Sequence, residues 1–458
     1  MYRPATAQRL AGRLAGPVLR PEDDGYALEV AGHNRVAQHR PAMVLGVRDA
    51  TQIRKAVAFA AETGLPTAVQ ATGHGPTRAA DGTGLLINTR RMTGVTIDPV
   101  TRVARAEAGA RWYQVVDAAA AHGLAPLSGS SPLVGVVGYT LGGGLALLSR
   151  AYGLAADHVT AVDIVTPDGR PRTATARRHA DLFWALRGGK GNFGVVTAIE
   201  FGLVAVTRLY GGGLFFPGDT AAEVLHAWRT WTESVPEETA SSLALLRMPD
   251  LEPVPRLLRG RLVVHVRIAH LGPGDAGERL VRPLRRIAPT LLDTLGEMPY
   301  TRFADIHDEP ALPIPCEQRS LMLRELGRGA VDDLLRLAGP GSDCGDLVVE
   351  LRHLGGALGR PPAVPGAADH RDAAHCLSVL GPAGGRPGHV VDGMAHRGTG
   401  RSPLNFLSGP RTTQMAERGF GPATYTRLGE IKARYDPDNL FRFNHNISPR
   451  VKSSDLRV

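Results

Sequence analysis

The amino-acid sequence predicts an α+β fold built from more than one domain. Three observations predict it. As far as Leu203, apolar stretches at helical spacing alternate with short runs of β-type residues. Glycine-rich loops follow several of these elements, around Gly73, Gly142 and Gly191. The texture then changes after Leu203 and again near Pro422, so the first part, the middle and the tail read as distinct.

The elements follow in order. Residues 49–63 read as a helix, because Ile53, Ala56, Val57 and Ala60 share a face and Gly64 stands at the stop. Residues 66–71 read as a buried strand running into the loop Gln70-Ala71-Thr72-Gly73-His74-Gly75. Gly73 and Gly75 free that backbone for close approach to a ligand, with an imidazole between them. Leu85–Asn88 and residues 95–97 and 103–106 are short strands between turns. Residues 111–122 form a second helix with Gly123 as its cap. The stretch 129–144 is rich enough in glycine to wrap backbone N–H groups around an anion or a flat ring. Residues 159–166 and the chain beyond Asp168-Gly169 read as a hairpin, and 180–187 as a short helix. That helix ends at the close-approach loop 188–194, before a strand at 195–201.

In the middle part, 221–234 is a helix bearing Trp228 and Trp231, and 261–269 alternates as a strand. Residues 275–288 read as helical, 347–353 as a strand running to Gly355-Gly356, and 361–365 as a surface loop. No cofactor-type glycine loop occurs here, so this part reads as a substrate-facing layer. In the tail, a helix at 422–434 is stopped by Asp436-Pro437. No internal repeat is present.

Composition narrows the function. With 458 residues, 43% of them hydrophobic, the chain can bury a large core. No apolar run approaches the ~20 residues that span a bilayer. The start is interrupted by Arg3, Arg9 and Arg13 and does not read as a secretion signal, which points to a cytoplasmic protein. Cys316, Cys344 and Cys376 have no metal spacing and read as reduced thiols. The net charge of +9 invites nucleic-acid binding. However, the basic residues are nearly all arginine, scattered among acids, with no basic stripe interleaved with aromatics.

Taken alone, a histidine between glycines is more often structural than functional, and Gly142-Gly143-Gly144 is not a dinucleotide fingerprint. The combination is specific. Gly73-His74, residues 132–135 leading into Gly142-Gly143-Gly144, residues 152–159, residues 181–189 and 191–197, and finally Lys432, 435–442 and 444–449 form one set. This set resembles the FAD-linked oxidases of the berberine-bridge-enzyme type, within the vanillyl-alcohol-oxidase flavoprotein superfamily. The resemblance spans essentially the whole chain and is weakest in the middle.

The resemblance implies a PCMH-type FAD-binding domain of two α/β subdomains, over residues 1–205 (the PCMH core about 37–206). An inserted substrate domain of antiparallel sheet covered by helices follows at 206–408, and the chain returns to the FAD domain at 409–458. It implies that His74 bonds to the 8α-methyl of the flavin, and that Gln70, Ala71, Thr72, Gly73, Gly75 and Thr77 surround the pyrophosphate. Ser130, Ser131, Val134, Gly135, Gly138, Tyr139, Gly142, Gly143 and Gly144 lie beside ring and phosphates. Gly191, Asn192, Gly194 and Val196 approach by backbone, and Asn444 and Asn446 reach the ring from the tail.

The chain departs from the family pattern at three positions. A second flavin link runs through a cysteine in many members; Ser131 stands there, which implies a single link through His74. The usual tyrosine base is Phe406, and the tyrosine after the glycine triplet is Leu145. Neither accepts a proton. One implied mechanism passes hydride to flavin N5 without a strong base, as suits an amine and as in the singly linked bacterial nicotine-oxidase branch. The other uses a base from the inserted domain. Glu350 and Arg352 share one face of the 347–353 strand and His353 the other, and a buried carboxylate with a raised pKa can serve. Tyr152 is a further candidate. Val134 corresponds to a position where valine goes with oxygen use, so the reading is an oxidase that makes H2O2 from a small natural-product-like substrate and O2. It would be a monomer or homodimer, without metal, membrane or nucleic acid. The alternatives are a flavin dehydrogenase with another acceptor and a non-redox cyclase that keeps FAD.

Overall fold

The computed structural model describes residues 15–369 and 371–450, apart from the side chains of 411–414. The opening segment with Arg3, Arg9 and Arg13 lies outside them. Three sheets carry the α+β fold. The first joins β1 (Val18–Leu19), β2 (Met43–Gly46), β3 (Thr67–Gln70) and β4 (Leu85–Asn88) in the order β1-β2-β4-β3. β2 and β3 both run parallel to β4, and helix α1 (Ala50–Thr63) makes the crossover. The Asp49 side chain accepts from the Gln52 N–H at its start, and Gly64 closes it with φ +65°. Its buried face is Ile53, Ala56, Val57 and Ala60, as the spacing predicts.

The second sheet is antiparallel. It orders β5 (Val95–Asp98), β6 (Val103–Glu107), β9 (Val195–Gly202), β7 (Val159–Val165) and β8 (Pro171–Ala174). Helices α2 (Trp112–Ala120) and α3 (Ala180–Leu186) pack their apolar residues into its core.

The third sheet has eight strands and explains the change of texture. Its order is β13 (Leu292–Asp293), β10 (Arg208–Pro217), β12 (Leu262–His270), β11 (Thr239–Arg247), β16 (Val348–His353), β17 (His375–Pro382) and β15 (Cys316–Leu323), with β14 (Gly296–Pro299) also on β10. Val264, Val266 and Ile268 of β12, Leu243 and Leu245 of β11, and Val349 and Leu351 of β16 point to one face. There α4 (Ala221–Thr232), α5 (Gly274–Arg285), α6 (Arg328–Ala338) and α7 (Gly388–Gly393) cover them. The alternate residues form the other face, buried yet largely polar: His265, Arg267, Ser242, Glu350, Ser378 and Ser320.

Helix α8 (Pro422–Tyr435) returns to the second sheet through Leu428 and Ile431. The stretch after it ties into the first sheet, where Thr67 N–H donates to Leu440 O at 2.8 Å. The strands β10, β11, β15 and β17 and helix α6 are absent from the sequence reading. Most of these strands are buried on both faces, which blurs the two-residue alternation that marks a half-exposed strand. Cys316 and Cys376 are buried free thiols and Cys344 is half-buried. Among the described residues no helix is long and apolar enough to cross a membrane.

Candidate active site

The His74 loop leaves the C-terminal end of β3 and lies against residues 32–34. His33 N–H donates to Thr72 O and Asn34 N–H to Gly73 O, at 2.9 and 3.0 Å. Gly73 has φ +67°, and a Cβ there would fall 2.6 Å from Gly32 Cα, so only glycine fits. The His74 ring stacks on His33 at 3.9 Å, its Nδ1 is 2.8 Å from Thr72 Oγ1, and its buried Nε2 has no partner among the described residues. Burial first, then His33 and Arg111, push its pKa down to about 3, so the imidazole is neutral. A neutral imidazole with an unengaged nitrogen is competent as a nucleophile. Gln70 instead turns inward, donating to Val30 O and Ala31 O at 3.2 and 3.3 Å, and Thr77 is buried.

The opposite wall is the glycine-rich stretch. Gly135 meets the Thr72 side chain and begins a short helix, Val136–Thr140. Val134 accepts from Trp112 N–H at 3.1 Å, and Ser130 donates to Glu309 at 2.5 Å beside half-buried Ser131. Tyr139 packs edge-on against Trp112 at 5.3 Å, and its buried hydroxyl has no partner among the described residues. Gly142 and Gly144 leave no room for a side chain: a Cβ would fall 2.2 Å from Asn405 Oδ1 and 2.6 Å from the Tyr139 ring. Gly143 has φ +98°. Lys190 Nζ donates to Gly138 O at 3.2 Å and to Asn405, with burial pushing its pKa down to about 8.

The third wall is the tail. Asn444 donates to Gly191 O at 3.1 Å, while Asn444 Oδ1 and Asn446 Oδ1 are buried without partners among the described residues. Asn192 is a clamp: it donates to Gly189 O and His445 O and accepts from Ile447 N–H. The structure gives Gly194 and Val196 roles inside the sheet. A Cβ at Gly194 would lie 2.3 Å from Val165 O, and Val196 pairs with Ile164. Side chains at Gly75, Gly138 and Gly191 would meet nothing within 4 Å. Unpartnered polar atoms on His74, Tyr139, Asn444 and Asn446, set among glycines open to the groove, fit a long ligand with polar groups along it, as FAD is.

Beside this groove stands the polar face of the large sheet. Arg267 Nη1 and Arg352 Nε donate to the two oxygens of Glu350 at 2.7 and 2.8 Å. Arg267 Nε donates to His265 Nδ1 at 3.1 Å, and His307 Nε2 lies 3.5 Å from Glu350. The Arg352 guanidinium sits over the Phe406 ring at 4.9 Å. Leu145, Leu147, Ser242, Arg267, His307 and Arg352 line a cavity between this face and the stretch after the glycine triplet.

Two expectations are corrected here. Glu350 is not a carboxylate with a raised pKa: burial alone would raise it, but Arg352, the His307 contact and Arg267 hold it well below the ordinary value. His353 does lie on the opposite strand face, but its Nε2 accepts from Arg150 at 2.9 Å and its ring stacks on His375. Burial, then Arg150 and His375, press its pKa to about 2, so it takes up no proton near neutrality. Tyr152 packs at the edge of the apolar cluster around Phe303 and Ile306. Arg267, His265 and His307 were not singled out from the sequence. Arg267 and His265 alternate with Val264, Val266 and Ile268, a signal that was present; His307 follows a 3-10 segment (Tyr300–Ile306) and carried none.

Residues 41–175 match the FAD binding domain family, and residues 407–448 match the family described as berberine and berberine like. (R)-6-hydroxynicotine oxidase of Paenarthrobacter nicotinovorans is 28% identical, over 95% of this chain and 97% of its own. The crystal structure of 6-hydroxy-D-nicotine oxidase from Arthrobacter nicotinovorans superposes with a TM-score of 0.81 at 26% identity, covering 95% of this chain and 98% of that one. Glucooligosaccharide oxidase from Acremonium strictum, with a 6-S-cysteinyl, 8α-N1-histidyl FAD, has a TM-score of 0.83 at 19% identity over 97% of this chain and 100% of its own, a likeness of fold.

Proposed function

On the premise that this chain is an FAD-dependent oxidoreductase of the berberine-bridge-enzyme-like family, we propose that it is an oxidase linked to its flavin through His74 alone. The observation that carries the reading is His74 itself: a neutral imidazole, stacked on His33, with a buried nitrogen left unengaged in the groove. Ser131 stands where relatives with two links have a cysteine, so His74 is the one attachment point. The FAD domain comprises residues 1–205 and 409–458, and the substrate domain 206–408. FAD, held by the groove around His74, Tyr139, Asn444 and Asn446, would supply a two-electron acceptor that O2 can reoxidise to give H2O2.

The chain's own groups do the rest. The small side chain of Val134 keeps the approach to the ring open to O2. Leu145 and Phe406 accept no proton, and Glu350 is committed to two guanidiniums. His307 lies on the cavity wall, but burial first, then Arg267, holds its pKa at about 4, so it is a weak proton acceptor near neutrality. The lining therefore suits a substrate that gives up hydride without a strong base.

Denaturing the purified protein tests the attachment. The yellow chromophore is expected to stay with the polypeptide and to be lost from it in His74→Ala. Flavin released to the supernatant by the parent chain as well would overturn the covalent reading.

A further inference from the structure

We propose that the cavity against the polar face of the large sheet is a carboxylate-binding site, so that the substrate carries an acid group. The inference rests on the oxidase reading only in calling this ligand the substrate.

Charge counting carries it. Arg267 and Arg352 are opposed by one carboxylate, and both oxygens of Glu350 are already used, one by each guanidinium. His265 and His307 add no compensation, since burial keeps both imidazoles neutral. The two guanidiniums therefore share one bonded carboxylate, and no second anion among the described residues touches either in this buried place. Arg150 stands on the same cavity wall; its hydrogen bonds go to carbonyls and to neutral His353, and Glu237 and Glu238 act on it through space. Glu309 bonds to neither guanidinium: its carboxylate, still charged, accepts from Ser130 and offsets the pair through space alone. An uncompensated buried cation is costly, and an anionic ligand removes that cost.

Geometry narrows the anion to a carboxylate. Glu350 takes the Nε edge of Arg352, and the Phe406 ring covers one face of the guanidinium. Arg352 Nη1 and Nη2 and Arg267 Nη2 make no hydrogen bond to the described residues, so planar donors remain toward the cavity. Ser242 Oγ, buried and without a partner among the described residues, is a further donor on the same wall. A planar pair of N–H groups matches the two oxygens of a carboxylate. Leu145, Leu147 and Ile306 give the organic body of the ligand an apolar wall. A protonated amine beside this cluster is disfavoured by like charge.

Calorimetric titration of the purified protein with sodium benzoate and with benzamide, the same ring without charge, tests the site. Benzoate is expected to bind saturably and at least tenfold more tightly than benzamide. Arg352→Gln is expected to weaken benzoate at least tenfold and leave benzamide unchanged, with Arg352→Lys recovering part of the loss. Should Arg352→Gln fail to fold, Ser242→Ala is expected to weaken benzoate alone. Benzoate binding no better than benzamide in the parent overturns the proposal. The titration reads ligand binding and not flavin turnover, so failure of the oxidase reading would show separately, as protein that carries no flavin.

Discussion

Glu350 shows how one residue is decided by neighbours that the local sequence does not reveal. Its alternation with Arg352 on a short strand was legible, because side chains two apart on a strand share a face. Arg267 was not, because cross-strand pairing depends on the register of β12, β11 and β16, set far along the chain. Burial alone argues for a raised pKa; Arg352 first, then the His307 contact and Arg267, together argue for the reverse. Replacing Glu350 with glutamine leaves two adjacent guanidiniums without their counter-ion. The expected cost is about 3–5 kcal/mol of folding stability, read from the denaturant midpoint. A loss below about 1 kcal/mol would show that solvent, not Glu350, balances these charges. His74 was the more legible residue, since its flanking glycines announce a close approach within six positions of sequence.

At the scale of elements, α8 and the stretch after it hold the groove's third wall. Lys432 is fully buried, with Nζ bonded to Asn192 O, Asp436 Oδ2 and Phe441 O at 2.6, 2.6 and 3.0 Å. Asp436 in turn accepts from Leu440 N–H and Phe441 N–H, which turns the chain back toward the first sheet. The stop of this helix at Asp436-Pro437 was legible from proline chemistry. The burial of a lysine was not, because lysine in a helix is ordinarily a solvated residue. Lys432→Met is expected to cost about 3 kcal/mol or more by stranding the Asp436 carboxylate among backbone groups. Guanidinium unfolding followed by flavin fluorescence and by circular dichroism checks it. The flavin signal is expected to change at lower denaturant than the secondary structure, because the tail loosens first. Coincident transitions at the parent midpoint would refute this.

At the scale of the whole molecule, buried neutral histidines set the response to acid. Burial pushes His39 and His307 down to about 4, and His375 and His445 to about 3, against an unfolded value of about 6.5. Between these values the unfolded chain binds protons that the folded one refuses. Stability is therefore fully present above pH 6.5 and is lost as pH falls toward 4, at up to about 1.4 kcal/mol per pH unit for each such group. Urea midpoints at pH 7.5, 6 and 5 are expected to fall progressively; a flat series would contradict the buried-neutral assignment. The broad plan of this molecule was legible in its glycine loops and changes of texture. The eight-stranded sheet was largely hidden, because a layer covered on both sides gives little sign of its period. The hydrogen bond from Thr67 to Leu440 and the clamp of Asn192 on His445 and Ile447 have a consequence in time. The ribosome makes the β3 side of the groove several hundred residues before the stretch 440–447 that closes it. The compartment for the cofactor is finished only after that later stretch has emerged, so residues far from His74 in sequence decide when this protein can take up colour.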